Sequence, residues 1–348
     1  MISVVGWDIG AVNVKAAWLS WQENRTGQVR VASHPLEIWR EKDRLPVVMQ
    51  QTLASIADAR PQAMAVTMTA ELSDIFATKR EGVLFILDCF GRCFPDLPSY
   101  FFSLSGNFVP LGEAQCRPLD FAAANWLASA QWLALRFPDC LMVDVGSTTT
   151  DVIPVSEGKV SVCGRTDLAR LSTGELIYTG ALRTNVAAVV QSVPVAGRLC
   201  RVASEYFAIS GDVHLILGHI QPRDYTCAAP DGQPPTIESA RRRLARLVCA
   251  DTEMLSTPEI DGIARYVHAR QVRQIRGGLE QVLSRLPSLR SHPVIVLGVG
   301  AFLGVEAAQS TGLETRDLAN GWGRQESAVA PCLAAAHLLL EKMKAEPW

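Results

Sequence analysis

The sequence VDVGSTTTDV at residues 143–152 decides the fold that we expect for this chain. An apolar strand over residues 140–145 runs into Gly146, whose missing Cβ allows a tight turn. Hydroxyl side chains and backbone amides follow in succession, and extended structure resumes over residues 151–155. A strand–turn–strand of this composition can wrap an oxyanion such as a phosphate. The alternative interpretation is an ordinary β-hairpin with a hydroxyl-rich loop.

Asp144 stands at the end of this strand, beside the turn, and is a candidate metal ligand. A carboxylate near phosphates can hold Mg²⁺ through water, because Mg²⁺ keeps several of its waters in proteins. A solvated turn aspartate is the alternative. The phosphate-binding candidates of this turn are Gly146, Ser147, Thr148 and Thr149.

A weaker copy of the same plan, VVGWDIGAVNVK, lies at residues 4–15. An apolar strand leads into Asp-Ile-Gly, a short turn follows, and extended structure resumes over residues 14–21. The copy contributes Asp8 as a second candidate metal ligand, again with a solvated turn aspartate as the alternative. Lys15 could reach a phosphate as a point charge or be an ordinary surface lysine. The phosphate-binding candidates of the copy are Gly10, Asn13 and Lys15.

Two such hairpins, one in each half of the chain, predict two related domains that face one cleft. Each domain would supply one carboxylate and one phosphate loop. We expect Asp8 and Asp144 to position Mg²⁺ together, or one of them to act as a catalytic base. Two domains are also the default expectation for a chain of 348 residues.

A third segment, VIVLGVGAF at residues 294–302, predicts a buried strand that ends in a Gly-x-Gly turn. Gly298 and Gly300 are therefore candidates for binding a nucleotide or a diphosphate. The segment differs by one residue from a dinucleotide-binding fingerprint. It lies late in the chain rather than in a first βα unit, which argues against a nicotinamide cofactor.

The three segments, in this order, resemble the phosphate-1, phosphate-2 and adenosine segments of the actin/sugar-kinase/Hsp70 superfamily. The resemblance implies an α/β fold of two ribonuclease-H-like domains with an interdomain cleft, and it makes ATP a further candidate ligand. We place the first domain at residues 1–138 and the second at residues 139–324. As in the superfamily, the C-terminal helix, residues 325–348, is expected to complete the first domain.

Composition and charge argue against several classes of function. The formal net charge of −2 gives no signature of a nucleic-acid or anionic-membrane partner. The nine cysteines include no Cys-x-x-Cys, so structural zinc is not expected, and their odd number favours reduced thiols in the cytoplasm. An apolar run of about 20 residues is absent, so nothing is expected to span a membrane. The sequence leaves the formation of a homo-oligomer open.

Apolar periodicity predicts one long helix over residues 118–137 and one final helix over residues 326–343. Residues 167–182 show no such period and are expected to be irregular. Their polar and glycine residues lie between apolar strands, which favours the lining of a cleft.

Basic and histidine residues of the second half have simple interpretations. The spacing of five residues between His214 and His219 fits neither a helix nor a strand, so we expect core or surface histidines rather than ligands. One solvated helix face is expected to be formed by Arg241, Arg242, Arg243 and Arg246, and a patch that binds a partner is the alternative.

An arginine can donate two parallel hydrogen bonds to a carboxylate or a diphosphate, and a tyrosine can stack on a flat ring. Both residue types occur at the end of the polar stretch. A buried tyrosine with a structural ion pair is the alternative. The substrate-binding candidates are Tyr178, Thr179, Arg183 and Thr184.

Four motifs narrow the resemblance: TMTAEL at residues 67–72, DVGSTTTD at 144–151, YTGALRT at 178–184, and EYFA at 205–208 followed by Asp212-Val213. On these motifs the whole chain resembles the tetrahydromethanopterin-linked C1-transfer proteins of methylotrophs. That family is related to the archaeal methanofuran-biosynthesis enzyme and, more distantly, to the hydantoinase/oxoprolinase group.

The resemblance implies a Mg²⁺-dependent transferase that joins an aminomethylfuran-methyl diphosphate to the phenol of γ-glutamyltyramine and releases pyrophosphate. Asp8 could take the phenol proton or orient the acceptor, and the two Asp-x-Gly turns could hold the leaving diphosphate. Two other functions stay open. One is an ATP-dependent phosphotransferase or hydantoinase/oxoprolinase-like enzyme, and the other is a nucleotide-responsive binding protein without turnover.

Overall fold

The computed structural model describes residues 2–22 and 25–345. The strands of this part are β1 (Ile2–Ile9), β2 (Asn13–Gln22), β3 (Arg25–Pro35), β4 (Ala63–Met68), β5 (Ser99–Phe102), β6 (Phe108–Pro110), β7 (Cys140–Val145), β8 (Thr150–Ser156), β9 (Lys159–Val160), β10 (Leu176–Ile177), β11 (Ser192–Val195), β12 (Arg198–Arg201), β13 (Val294–Leu297) and β14 (Thr315–Asp317). Its α-helices are α1 (Ile38–Glu41), α2 (Leu45–Ile56), α3 (Lys79–Cys93), α4 (Leu111–Cys116), α5 (Asn125–Ala134), α6 (Asp167–Thr173), α7 (Val186–Val189), α8 (Ser210–Ile216), α9 (Ile237–Arg246), α10 (Thr257–Arg285), α11 (Ala301–Gln309), α12 (Ala319–Trp322), α13 (Arg324–Ala328) and α14 (Ala330–Ala345). Short 3₁₀ turns lie at Lys42–Arg44, Ala70–Leu72, Pro118–Phe121, Pro222–Asp224 and Pro287–Ser291.

These elements group into two compact units. The boundary predicted from the sequence places residues 155–169 in the second domain. In the structure these residues group with residues 1–140, in unit 1. Residues 346–348 of the predicted C-terminal helix lie outside the described part. Unit 1 comprises Met1–Cys140, Val155–Ala169 and Leu318–Trp348, and unit 2 comprises Leu141–Pro154 and Arg170–Asp317.

Unit 1 contains a six-stranded sheet in the order β3-β2-β1-β4-β5-β6. The central strand β1 pairs antiparallel with β2 and parallel with β4, and both of its faces are covered. Because side chains alternate along a strand, Trp7 points to the face where Phe90 and Phe94 pack, each with its ring centroid 5.9 Å away. The opposite face of β1 meets α14.

Gly6 sets how closely α14 approaches β1. A Cβ at this position would overlap the carbonyl oxygen of Cys332, and it would lie 2.9 Å from the amide nitrogen of Ala336. The strand and the helix therefore touch backbone to backbone. Helix α14 is held on the sheet by its close fit as well as by the burial of apolar side chains. A side chain at position 6 would separate the helix from β1.

Unit 2 is built around a sheet in the order β10-β8-β7-β13-β14. β13 lies parallel to both β7 and β14. The core between this sheet and α10 contains Val143, Val145, Ile275 and Leu279, all fully buried. As the sequence predicts, β7 and β13 are apolar strands that end at Gly146 and Gly298.

The basic face expected on α9 is not wholly solvated. Arg243 is completely buried, and its Nη2 donates a hydrogen bond to Asp212 Oδ1 at 2.6 Å. Its Nη1 donates to Asp231 Oδ1 at 2.9 Å, while Tyr225 donates its hydroxyl to Asp212 at 3.0 Å. The expectation was wrong for this arginine, because its carboxylate partners come from distant segments that periodicity does not show.

Two helix predictions are also wrong in extent. Residues 118–137 form a 3₁₀ turn and the shorter α5, separated by Ala123, whose φ of +50° is left-handed and cannot continue a right-handed helix. The final helix is divided into α13 and α14 at Val329. Pro331 follows in the first turn of α14, where its missing N–H is tolerated.

Residues 167–182, expected to be irregular, contain α6 and the short strand β10. β10 pairs antiparallel with β8, through Leu176 opposite Asp151. The helix is too short for a periodic signal to show in the sequence. Among the described residues, none of the helices is long and apolar enough to cross a membrane.

We predict that Gly6→Ala destabilises the protein by about 3 kcal/mol or more, because the new methyl group must push α14 away from β1. Gly277→Ala is the matched control. Gly277 lies exposed inside α10 with nothing within 4 Å of an added Cβ, so alanine should stabilise the protein by about 0.5–1 kcal/mol. Urea unfolding followed by circular dichroism measures both. Equal stability of the two variants would contradict the close approach of α14.

Candidate functional site

The two Asp-Gly turns close with the same hydrogen bond, each within its own unit. In unit 1 the amide of Gly10 donates to the carbonyl oxygen of Asn13 at 3.0 Å, and in unit 2 the amide of Gly146 donates to the carbonyl oxygen of Thr149 at 2.9 Å. Each turn therefore spans four residues and joins two adjacent strands. The repeated hairpin that the sequence suggests is present in local geometry.

In unit 1, Asp8 lies on β1 between Lys15 of β2 and Thr67 of β4. Its side chain is only 4% exposed, and Thr67 Oγ1 lies 3.4 Å from its Oδ1. Lys15 directs its ammonium to the carbonyl oxygen of Ala328, at 3.3 Å. The interpretation of Asp8 as a solvated turn residue is wrong, whereas its role toward a metal or a proton stays a prediction.

Asn13 is the last residue of the unit 1 turn and is buried. An added Cβ at Gly10 would lie 3.0 Å from the Asn13 carbonyl oxygen and 3.7 Å from Thr69 Oγ1. The turn is therefore tight, and Thr69 stands beside it. Contact of Gly10, Asn13 or Lys15 with a phosphate stays a prediction.

Glu71 belongs to the TMTAEL motif at residues 67–72 but is not among the site residues predicted from the sequence. It follows β4, is 1% exposed, and its Oε2 has no hydrogen-bond partner among the described residues. Burial above all raises the pKa of Glu71 from 4.5 to about 7, with the charges of Asp167 and Asp8 acting in the same direction and Lys79 opposing them. A carboxyl group with a pKa near neutrality can exchange a proton at physiological pH, so Glu71 is a candidate acid or base.

In unit 2, Asp144 is also buried, at 7% exposure, so the alternative of a solvated turn aspartate is wrong here too. Gly298, at the end of β13, has a φ of +94°, and an added Cβ would lie 2.5 Å from Asp144 Oδ1. Gly300 donates its amide to the carbonyl oxygen of Val145 at 2.8 Å, and α11 begins directly after it. The Gly-x-Gly turn thus lies against the Asp144 carboxylate, whereas binding of a nucleotide or a diphosphate by Gly298 and Gly300 stays a prediction.

The loop of residues 178–184 is hydrogen-bonded to the same turn. The carbonyl oxygen of Ser147 accepts from the amides of Leu182 and Arg183, at 3.0 and 2.9 Å. Gly180 lies against the turn so closely that an added Cβ would be 2.5 Å from the amide nitrogen of Thr148. The Arg183 guanidinium reaches the turn as well, with Nη1 3.4 Å from Thr148 Oγ1.

Thr179 and Thr184 hold this loop from within. Thr184 Oγ1 accepts a hydrogen bond from the Gly180 amide at 2.8 Å, and Thr179 Oγ1 accepts one from Gln271 Nε2 at 3.0 Å. Tyr178 is 62% exposed, so the alternative of a buried tyrosine is wrong. Direct contact of Tyr178, Thr179, Arg183 or Thr184 with a substrate stays a prediction.

The polar side chains around the unit 2 turn suit an anion that is bound together with a hard metal cation. Ser147, Thr148 and Thr149 are partly exposed and offer hydroxyl groups, Arg183 offers a cation, and Asp144 offers carboxylate oxygens. Oxygen ligands are those that Mg²⁺ prefers, and a guanidinium suits phosphate oxygens. Asp8 belongs to unit 1 and Asp144 to unit 2, and their joint binding of one metal ion stays a prediction.

These α/β units, with their Asp-x-Gly turns and mixed sheets, have the fold of the actin/sugar-kinase/Hsp70 superfamily. A solved structure of acetone carboxylase in its nucleotide-free form is similar, with a TM-score of 0.57 and 9% sequence identity over 96% of this chain and 70% of that chain. At this identity the likeness shows the fold alone. The model of the hydantoinase/oxoprolinase family matches residues 62–342, and the chain belongs to this family.

Two curated relatives carry the same name, (4-{4-[2-(gamma-L-glutamylamino)ethyl]phenoxymethyl}furan-2-yl)methanamine synthase. The relative from Methanocaldococcus jannaschii is 33% identical over 343 residues, which is 98% of this chain and 99% of the relative. The relative from Methanococcus vannielii is 30% identical over 212 residues, which is 60% of this chain and 94% of the relative.

We predict that Glu71 makes the protein less stable as the pH rises. The pKa of Glu71 is about 7 in the folded protein, against an ordinary value of 4.5. Between pH 4.5 and pH 7 the folded protein therefore binds more protons than the unfolded protein, so the free energy of unfolding falls as the pH rises through this range. Glu71→Gln removes this contribution. Relative to the wild type, the variant should gain roughly 2.5 kcal/mol of stability between pH 5 and pH 8.

Urea unfolding at pH 5 and pH 8 measures this difference. Glu113→Gln, at an exposed glutamate on α4, is the control and should follow the wild type at both pH values. A Glu71→Gln variant whose stability runs parallel to that of the wild type would show that Glu71 is ionised in the folded protein throughout.

Proposed function

We propose that this chain is a transferase of methanofuran-type C1-carrier cofactor biosynthesis. It joins an aminomethylfuran-methyl diphosphate to the phenol of γ-glutamyltyramine and releases pyrophosphate. The observation that carries the proposal is the match, over 98% of this chain and 99% of the relative, to a synthase named for the ether product. We propose small-molecule substrates, a cytoplasmic location, and no nucleic-acid or membrane partner.

The name of the relative's product describes a phenoxymethyl group that links a phenyl ring to a furan bearing a methanamine. An ether of this kind forms when a phenol oxygen attacks a methylene carbon and the bond from that carbon to its leaving group breaks. With a diphosphate as leaving group, the products are the ether, pyrophosphate and one proton. The furan ring can stabilise positive charge on the methylene carbon, so departure of the diphosphate is the step that the protein must assist most.

The turn at residues 146–149 is our candidate for holding the diphosphate in unit 2. Its hydroxyl groups are partly exposed, and the Arg183 guanidinium stands beside Thr148. A guanidinium can donate two parallel hydrogen bonds to diphosphate oxygens, and it remains charged at any physiological pH. Negative charge that grows on the leaving group would therefore meet donors already in place.

We propose Asp144 and Asp8, each beside the turn of its own unit, as ligands that hold Mg²⁺ through water. The carboxylate and hydroxyl oxygens around the unit 2 turn fit the oxygen preference of this ion. When bound, Mg²⁺ would neutralise charge on the leaving diphosphate. Gly298 keeps one side of Asp144 free of any side chain, since a Cβ there would lie 2.5 Å from its Oδ1.

The phenol must lose its proton during the reaction, and unit 1 offers two candidate bases. Asp8 is the base that the motif suggests. Glu71 is better matched in acidity, because burial raises its pKa to about 7 and a base works best when its pKa lies near the working pH. We propose that one of these carboxylates accepts the phenol proton directly or orients the phenol for attack.

We predict that Asp144→Asn lowers pyrophosphate release about 100-fold or more, equivalent to roughly 3 kcal/mol, because the variant keeps the shape but loses the charge that attracts Mg²⁺. Raising the Mg²⁺ concentration should restore part of the rate. The melting temperature should stay within about 4 °C of the wild type, since Asn fills the same space. Asp88→Asn, at an exposed residue of α3, is the control and should change neither property.

The assay supplies both substrates, with and without ATP, and measures pyrophosphate and ADP against Mg²⁺ concentration. Pyrophosphate formed only with both substrates supports the proposal. ADP formation would indicate the ATP-dependent phosphotransferase instead, and absence of both products would indicate a binding protein. Wild-type turnover by a normally folded Asp144→Asn variant would show that the metal is held elsewhere.

We further predict that Arg183→Lys is not a mild change. Lysine keeps the positive charge but cannot donate two hydrogen bonds from one rigid plane, and loss of one charge-assisted bond corresponds to about 1.5–3 kcal/mol. Steady-state kinetics should show a lower kcat/KM for the diphosphate substrate. Arg201→Lys, at an exposed residue of β12, is the control. Unchanged kinetics for Arg183→Lys would assign this arginine to a structural role.

A further inference from the structure

Three histidines of unit 2 meet at a point that the proposed reaction does not use. His214 lies in the last turn of α8, His219 follows the end of that helix, and His268 lies on α10. Each offers one ring nitrogen, and the three nitrogens lie within 4.8 Å of one another. The expectation that these are unrelated core or surface histidines overlooked His268, which is distant in sequence.

A helix-ending motif explains why residues five apart come together. Gly218 has a φ of +74°, and its amide donates to the carbonyl oxygen of Leu215 at 3.2 Å. The amide of His219 donates to the carbonyl oxygen of His214 at 2.9 Å. This pair of bonds is the Schellman motif, in which the residue after the glycine folds back onto the last full turn of the helix. The Leu-Gly at 217–218 was the signal in the sequence that could have revealed the pair.

The hydrogen bonds of His214 fix which ring nitrogen carries its proton. Gln271 directs its Nε2 to the carbonyl oxygen of Gly180, which can only accept, at 2.7 Å. Its Oε1 therefore faces His214 Nε2, 2.9 Å away, and that nitrogen must be the donor. The neutral ring of His214 then has its lone pair on Nδ1, and burial above all holds the pKa of this histidine at about 3.

That lone pair faces another ring nitrogen, at a distance longer than that of an ordinary hydrogen bond. His214 Nδ1 and His219 Nδ1 are 3.4 Å apart. Two nitrogens bound to one tetrahedral Zn²⁺ at 2.0–2.1 Å are about 3.3 Å apart. The pair therefore already has the separation of two ligands of one ion.

His268 resembles His214, because one of its ring nitrogens faces a supporting side chain and the other keeps its lone pair. Its Nε2 lies 2.7 Å from Glu306 Oε2, and its Nδ1 is buried with no hydrogen-bond partner among the described residues. A carboxylate on one ring nitrogen leaves the lone pair on the other, which is the usual support of a metal-binding histidine. The three ligand nitrogens lie within 4.8 Å of one another, so a shift of about 1.5 Å would complete the set at the separation of about 3.3 Å that one tetrahedral ion requires.

We propose that His214, His219 and His268 form a binding site for a transition-metal ion such as Zn²⁺, with Gln271 and Glu306 as the supporting hydrogen-bond acceptors. Three imidazole nitrogens suit Zn²⁺, and this ion takes a fourth ligand from water or a bound molecule. His219 is only partly buried and gives the ion access from solvent. The site is separate from the turn proposed for Mg²⁺, whose donors are oxygens.

The test uses the untagged full chain after removal of metals with a chelator. Co²⁺ serves as the probe because it replaces Zn²⁺ and absorbs visible light when bound in a tetrahedral site. We expect one equivalent to bind, with visible bands that Zn²⁺ displaces and without the near-ultraviolet charge-transfer band of a cobalt thiolate. Addition of Zn²⁺ should also shift the ¹⁵N signals of three histidine Nδ1 atoms in the wild type.

Variants locate the ion. His219→Gln and His268→Gln should each weaken Co²⁺ binding by at least about 100-fold, and Glu306→Gln by about 10- to 100-fold. His292→Gln, at a histidine outside the cluster, is the matched control and should bind as the wild type does. Circular dichroism checks that each variant is folded.

Three results would overturn the proposal: no saturable binding at one equivalent, a thiolate charge-transfer band that places the ion on cysteines, or unchanged affinity in both His219→Gln and His268→Gln. The ¹⁵N measurement does not depend on any variant and decides the question if a substitution fails to fold.

Discussion

The hydrogen bond from the Gly146 amide to the Thr149 carbonyl oxygen is the constraint on which the candidate site of unit 2 depends. It closes the turn after β7, and the carbonyl groups of Gly146 and Ser147 then face the loop of residues 178–184. Three backbone amides of that loop donate to those two carbonyl groups. The loop therefore lies on the turn in one register. The position of Arg183 beside the turn follows from these backbone hydrogen bonds rather than from contacts of its own side chain.

Much of this arrangement could be predicted from the sequence because it rests on local patterns. β1, β7 and β13 are apolar runs of strand length that end at glycine, and the structure confirms all three. The hairpins are local as well, since each joins neighbouring strands through a turn of four residues. The superfamily fold followed from the order of these segments, which a single sequence displays.

Other features could not be predicted because they depend on tertiary contacts. Glu71 acquires its unusual acidity from burial, and burial at the end of a strand is not visible in a sequence. Arg243 is paired with Asp212, which lies 31 positions away. His268 is likewise separated from its two partners by α9, the loops on either side of it and the first part of α10, so spacing could not bring the three histidines together.

The carbonyl oxygen of Gly180 accepts hydrogen bonds from Ser210, Gln271 and Thr184, at 2.8, 2.7 and 3.3 Å. The backbone of this loop is thus tied to three places, whereas Tyr178, two residues earlier, is exposed. Evolution could therefore change the tyrosine without disturbing the frame that carries Arg183. Paralogues that share this loop but act on different acceptors should diverge at position 178 while the glycine at 180 stays.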